Sequence, residues 1–183
     1  VGISFRRFQP KGEELTMTVL DLAGQAVYSM MHQFFFLNRA VYLFVWRARK
    51  PTLKGGEMSA RDKKEMETMV VHWMDTMQLL VPGASMIFVV THIDTVSERE
   101  LSDQCDFVQS VIKSRLDHYK VANTATGHTD VPLLKVLGEG ESLRICAPKG
   151  TGVKELRERL IKCAKETPWY RERLPGPYLR LRQ

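Results

Sequence analysis

A chain of 183 residues is long enough for one α/β domain with a real core and short for two. With 44% hydrophobic and 26% charged residues it fits neither a disordered nor a fibrous class, and no apolar run reaches the roughly 18–20 residues of a membrane span. The formal charge of +6 is modest, and no aromatic stacking platform accompanies it, which argues against a nucleic-acid surface.

The chain opens on Val1 with no signal-peptide pattern, inside what reads as a strand, so it is expected to be a fragment of a longer polypeptide. Ile3, Phe5 and Phe8 suggest an edge strand. Leu15 to Leu20, Ala40 to Trp46 and Ser85 to Val90 read as buried strands, being rich in β-branched and aromatic residues and bounded by polar or turn residues. Between the last two, Met66, Met69, Val70, Trp73, Met74, Met77 and Leu80 fall at three- and four-residue spacing. That is the stripe of an amphipathic helix, with Ser59 as its N-cap and Pro82-Gly83 as its stop. A second stripe, Leu101, Cys105, Val108, Ile112, Leu116 and Tyr119, follows a capping box made of Ser97 and Glu100.

Val121 to Gly140 holds Gly127, Pro132, Gly138 and Gly140 and reads as an insertion or extended connection. A short strand, Leu143 to Ile145, then leads to a third helix with Val153, Leu156, Leu160 and Ala164 on its buried side. Lys154, Arg157, Arg159, Lys162 and Lys165 alternate with that stripe as a solvated face, and Arg171, Arg173, Arg180 and Arg182 continue into a tail that reads as a linker. Cys105, Cys146 and Cys163 are widely spaced and odd in number. They speak against a disulfide framework or zinc site and for a reducing, cytoplasmic setting. His32, His72, His118 and His128 lack ligand spacing.

Strands alternating with helices predict βαβ units, a mostly parallel sheet covered on both faces, and sites at the carboxyl ends of the strands. Three such loops stand out. In Asp21-Leu22-Ala23-Gly24-Gln25, the carboxylate can serve Mg²⁺, a hard ion that prefers oxygen. Gly24 lets a backbone N–H approach a terminal phosphate, and Gln25 can orient an attacking water. An ordinary Asp/Gly turn is the alternative.

In Thr91-His92-Ile93-Asp94, the Asp94 carboxylate can accept the paired N–H groups that guanine offers and adenine lacks. Alternatively Asp94 caps a helix, a role for which Ser97 competes. In the loop from Cys146 through Ala147, Pro148, Lys149 and Gly150 to Val153, small residues would let the Ala147 N–H reach a guanine carbonyl; the alternative is a Gly-rich strand-to-helix turn.

In this order and spacing the three loops resemble those of the Ras-like GTPases, and within them the Roc domains of the Roco family, which include the leucine-rich-repeat kinases. Asp21 to Gln25 is similar to the D-x-x-G-Q motif. Val27-Tyr28 through His32-Gln33-Phe34-Phe35 to Ala40-Val41-Tyr42-Leu43 looks like Roc in particular. Thr91 to Asp94 matches the T-H-x-D form that Roc domains use where most Ras relatives have N-K-x-D. Cys146-Ala147 aligns with the usual S-A pair, and Gly2-Ile3 resembles the end of the T-x-G-I switch segment.

The resemblance implies a Ras-like P-loop GTPase fold over residues 1–166 and, over 167–183, a linker into a dimerising COR-like domain. It implies GTP or GDP and Mg²⁺ as ligands, with Asp21 at the metal. Gly24 and Gln25 would do the catalytic work, and Thr91, His92, Asp94, Cys146, Ala147 and Pro148 would surround the nucleotide. The phosphate-binding G-x-x-x-x-G-K-[S/T] string is absent from the chain, as are the strand and helix that flank it. In Ras-like sheets that strand is central, so an exposed apolar gap is expected. The intact parent is expected to hydrolyse GTP and the chain alone to be inactive. The competing expectation is a nucleotide-independent scaffold or dimerisation module.

Overall fold

The computed structural model describes residues 3–22, 35–53 and 56–172. Among them are two separate sheets. The first is an antiparallel hairpin of β1 (Ile3–Phe8) and β2 (Met17–Leu22), in register from Ile3 opposite Leu22 to Phe8 opposite Met17. The second has four strands, all parallel: β3 (Val41–Arg47), β4 (Ser85–Thr91), β5 (Lys135–Val136) and β6 (Leu143–Ile145). Strand β4 is central, paired with β3 on one side and with β5 and then β6 on the other.

Three helices clothe the parallel sheet: α1 (Ala60–Leu80), α2 (Glu98–Thr126) and α3 (Val153–Glu166). Alternation along β4 divides the core. Met86, Phe88 and Val90 meet α1 and α2 on one face, while Ile87 and Val89 meet Leu156 and Leu160 of α3 on the other. The Phe44 and Phe88 rings pack at 5.0 Å between centroids in the larger cluster. A polar clasp joins the two helices on that face. Arg115 reaches both carboxylate oxygens of Asp75 at 2.6 Å, and the Tyr119 hydroxyl donates to the same carboxylate at 2.6 Å. Burial, with the Asp75 carboxylate beside it, pushes the Tyr119 phenol up.

Both helix starts follow the expected chemistry. Ser59 accepts from the Asp62 N–H and Ser97 from the Glu100 N–H, and each carboxylate reaches back to the cap residue's N–H. Ser97, and not Asp94, therefore caps α2.

Four expectations need correction. Strand β2 starts at Met17 and runs through Asp21 to Leu22, because the tight turn after β1, closed by Glu13 N–H to the Pro10 carbonyl at 3.1 Å, delays pairing and the register carries it to Ile3. It is also half-exposed, with Val19 at 43%, since no described strand lies along its other edge. Helix α2 continues to Thr126, six residues into the stretch expected to be irregular. Its last turns lack an apolar stripe, and Thr124 and Thr126 hydroxyls donate back to the Lys120 and Ala122 carbonyls. Finally, Val153 and Leu80, counted on buried stripes, are exposed at helix ends.

Candidate functional site

The parallel register sets the site. Thr91 lies opposite Ile145, so the loops that leave β4 and β6 emerge side by side at the carboxyl edge of the sheet. On the β4 side, the Thr91 hydroxyl donates to the Trp46 carbonyl at 3.2 Å, and the His92 ring lies 3.1 Å from the same hydroxyl through Nδ1. His92 adopts a left-handed backbone (φ 58°), which turns the chain at once into a short 3-10 turn, Ile93–Thr95. That turn is tied by the Thr95 N–H and hydroxyl, which donate to the His92 carbonyl at 3.0 and 2.8 Å.

On the β6 side, Cys146 N–H donates to the Thr151 carbonyl at 3.1 Å, closing a loop in which the Lys149 and Gly150 N–H groups donate to the Cys146 and Ala147 carbonyls. Gly152 ends this loop at φ 73°, and a Cβ there would collide with the Arg144 carbonyl, so the close return of the loop onto β6 requires glycine. Arg144 of β6 also pairs with Glu98 at the start of α2, joining the two loops from behind.

Of the residues expected at the site, Thr91, His92, Asp94, Cys146, Ala147 and Pro148 thus come together. Cys146 is buried as a loop anchor, whereas His92, Asp94, Ala147 and Pro148 are exposed. Among the described residues the Ala147 N–H donates to nothing and the Asp94 carboxylate accepts no hydrogen bond. Its nearest cation is Lys149, at 3.9 Å. That contact was not anticipated, although Lys149 lies within the loop singled out; the pairing depends on the adjacency of β4 and β6, which the spacing alone does not specify.

Asp21 lies elsewhere. It stands exposed near the end of β2, opposite Ser4, on the sheet that is not hydrogen-bonded to β4. As a lone carboxylate it fits a Mg²⁺ ion that takes one protein oxygen and fills its shell with water and phosphate. Ala23, Gly24 and Gln25 lie outside the described residues, as do Gly2, the Val27 to Phe34 part of the Roc-like string and the tail beyond Glu172.

Two recesses lie away from these loops, one of about 360 Å³ between α1 and α2 beside Arg115 and His118, the other of about 130 Å³ under Trp46 and Gln104. Gln104 is buried and satisfied: its side chain accepts from the Arg49 N–H and donates to the Arg49 carbonyl, clamping the chain as it leaves β3. No described helix is long and apolar enough to cross a membrane.

Known proteins align with this arrangement. The family described as "Ras of Complex, Roc, domain of DAPkinase" matches residues 2–94, from β1 through the Thr91 to Asp94 loop. Two relatives from Dictyostelium discoideum carry the likeness through the rest. "Probable serine/threonine-protein kinase roco11" is 28% identical over 94% of the chain, and "Probable serine/threonine-protein kinase roco6" is 24% identical over 92%. The chain spans only 10% and 6% of their lengths. Among solved structures, Methanosarcina barkeri Roco2 RocCORdC bound to GDP superposes on 98% of the chain with a TM-score of 0.55 at 16% identity, using 43% of its own length. The family match spans half of the chain and reaches from the hairpin that bears Asp21 to the loop that bears Asp94, and the chain belongs to the Roc family, the Ras-like domain of multidomain Roco proteins.

Proposed function

We propose that the chain is the base-recognising and switch-bearing part of a guanine-nucleotide-binding GTPase domain. The observation that carries this is the placement of Asp94 and Ala147 on neighbouring loops at one edge of the sheet. Two loops from adjacent parallel strands present a carboxylate and a backbone N–H side by side, exposed and without hydrogen bonds among the described residues. A guanine ring offers that pair two N–H donors and a carbonyl acceptor; adenine would leave both groups unmet. Thr91 and His92 shape the first loop, and Cys146 and Pro148 the second. Lys149, exposed and 3.9 Å from Asp94, holds the carboxylate loosely enough to yield it to a base.

The interrupted sheet supports the rest of the reading. β3 has no described strand on its outer edge, and Leu43 and Val45, on its α3-facing side, are 40% and 57% exposed. Strand β2 is likewise open along one edge. A phosphate-binding strand, loop and helix contributed from outside residues 1–183 would pair with both edges and cover Leu43 and Val45. Asp21 would then serve Mg²⁺, Gly24 the terminal phosphate and Gln25 the attacking water, so that GTP is hydrolysed in the intact parent and not by this chain alone. Mg²⁺ would supply charge neutralisation at the phosphates when bound. Residues 1–166 would form the Roc domain and 167–183 the passage into a COR-like, dimerising domain. A scaffold that has abandoned nucleotide is the competing reading.

The test is Asp94→Asn in the parent polypeptide. GTP and GDP affinity should fall about 10- to 100-fold while xanthine nucleotides gain. Unaltered base preference would overturn the assignment. A folded wild-type parent that binds no guanine nucleotide would leave the scaffold.

A further inference from the structure

The β1–β2 hairpin is attached to the molecule in an unusual way. Among the described residues no strand pairing joins it to the four-stranded sheet. Its turn is held by α3. The Arg157 guanidinium donates through Nη2 to the Lys11 carbonyl at 2.8 Å, and Lys165 Nζ lies 2.7 Å from Glu13 Oε2. Pro10, next to Lys11, is fully buried. Glu13 and Lys165 are themselves partly sheltered, at 28% and 40% side-chain exposure, so their attraction is less screened than that of a surface pair. A third pair, Arg171 with Glu14 at 3.8 Å, is open to solvent and adds little.

The opposite end of the same hairpin carries Asp21. Four residue steps at about 3.4 Å each place Asp21 roughly 14 Å from Met17, where the strand leaves the turn. Meanwhile α3 ends at Glu166, and the residues that follow stay on the turn's side of the molecule: Arg171 faces Glu14, and Glu172 pairs with Arg39 just ahead of β3. The hairpin turn, the end of α3 and the departing chain therefore share one surface.

The geometry points to an ionic latch: α3 holds the hairpin turn through Lys165–Glu13 and Arg157–Lys11, and thereby couples the Asp21 end of β2 to the chain leaving α3. The latch stands on the contacts alone, while its bearing on nucleotide rests on the functional reading above. A strand seated along β2, as proposed above, leaves the turn to α3, so the latch remains when that seat is filled. Because a sheet ladder moves as a unit, a shift imposed at the turn is carried along β1 and β2 to Asp21, and a shift at Asp21 returns by the same path to the end of α3.

The test uses the parent polypeptide with Lys165→Glu, and with Lys165→Glu combined with Glu13→Lys. Amide hydrogen exchange in β1 and β2 should rise about three- to fivefold in the single variant, leave β4 unchanged and return to the wild-type rate in the charge swap. Unchanged hairpin exchange, equal acceleration in β4, or failure of the swap to restore it would overturn the latch. The release rate of GDP in Mg²⁺ should change in the single variant and recover in the swap. A release rate indifferent to Lys165→Glu, with exchange altered as expected, would overturn the coupling. A wild-type parent that takes up no GDP would sink the nucleotide reading, and the exchange pattern would still decide the latch.

Discussion

Strands β4 and β2 are both rich in apolar residues, yet they meet different fates. In β4 the five residues from Met86 to Val90 are all buried, Phe88 and Ile87 completely, because α1 and α2 cover one face, α3 the other, and strands flank both edges. In β2 no residue reaches that state, and Val19 is nearly half exposed. The contrast shows that burial in a sheet belongs to the neighbours of a strand more than to its own sequence. The parallel sheet has nearly its full set of neighbours, with β3 left open on one edge and one face. Among the described residues the hairpin has its own partner strand, the α3 contacts at its turn and the Phe35 ring against Phe5.

The strongest way to break this comparison is to truncate matched aromatic rings. Phe88→Ala should cost about 3–5 kcal/mol, since it empties a closed core, whereas Phe5→Ala on the hairpin should stay within about 1 kcal/mol. Urea unfolding of a polypeptide that contains residues 1–183 measures both, and equal losses would erase the distinction between the two regions. A smaller effect is expected at the loop that joins β6 to α3. Gly152→Ala forces a Cβ against the Arg144 carbonyl at positive φ and should cost about 1–3 kcal/mol, with the loss showing first as faster exchange of the Cys146 amide. Retention of that slow amide in the variant would contradict the strained turn.

The smallest effect concerns the edge of the well-packed layer. The Asp62 carboxylate accepts from the Thr52 hydroxyl at 2.7 Å, from the Ser59 hydroxyl at 2.7 Å and from the Ser59 N–H at 3.0 Å, and these bonds hold its pKa down to about 2. A depressed carboxylate contributes stability that is fully present above its ordinary pKa and lost as pH falls through the folded value. Protection of the amides in the first turn of α1, corrected for the intrinsic pH dependence of exchange, should therefore begin to fall below about pH 4, be fully lost only below about pH 2, and lose this pH dependence in Asp62→Asn. Protection that ignores both pH and substitution would remove Asp62 from the cap.

Much of the parallel layer was legible beforehand. The periodic Met66 to Met77 stripe, the Ser59 N-cap, the Ser97–Glu100 capping box and the apolar run of β4 are local signals, and local signals survive folding because each matches the environment its element later meets. The hairpin and the end of α2 were harder to read. Where β2 starts depends on the turn and on its register with β1, and the last turns of α2 hold Ala, Asn and Thr with a single exposed Val121, which make no hydrophobic period. Asp94 and Ala147 were singled out one by one, and the placement of their loops at one edge of the sheet is a property of register between β4 and β6. The Lys149 contact and the Lys165–Glu13 latch joined residues that no spacing rule connects.

The length of α2 has one more consequence. Its 29 residues span about 43 Å, while the seven-residue strand it packs on covers only about 23 Å. The helix begins four residues after Asp94 and so carries its last turns well past the sheet, to the glycine at 127. That overhang forms a natural handle. A reporter group or an inserted tag at residues 127–130 would ride on a rigid rod anchored beside the loops that follow β4 and β6, some 40 Å from them, and would report their orientation without touching them.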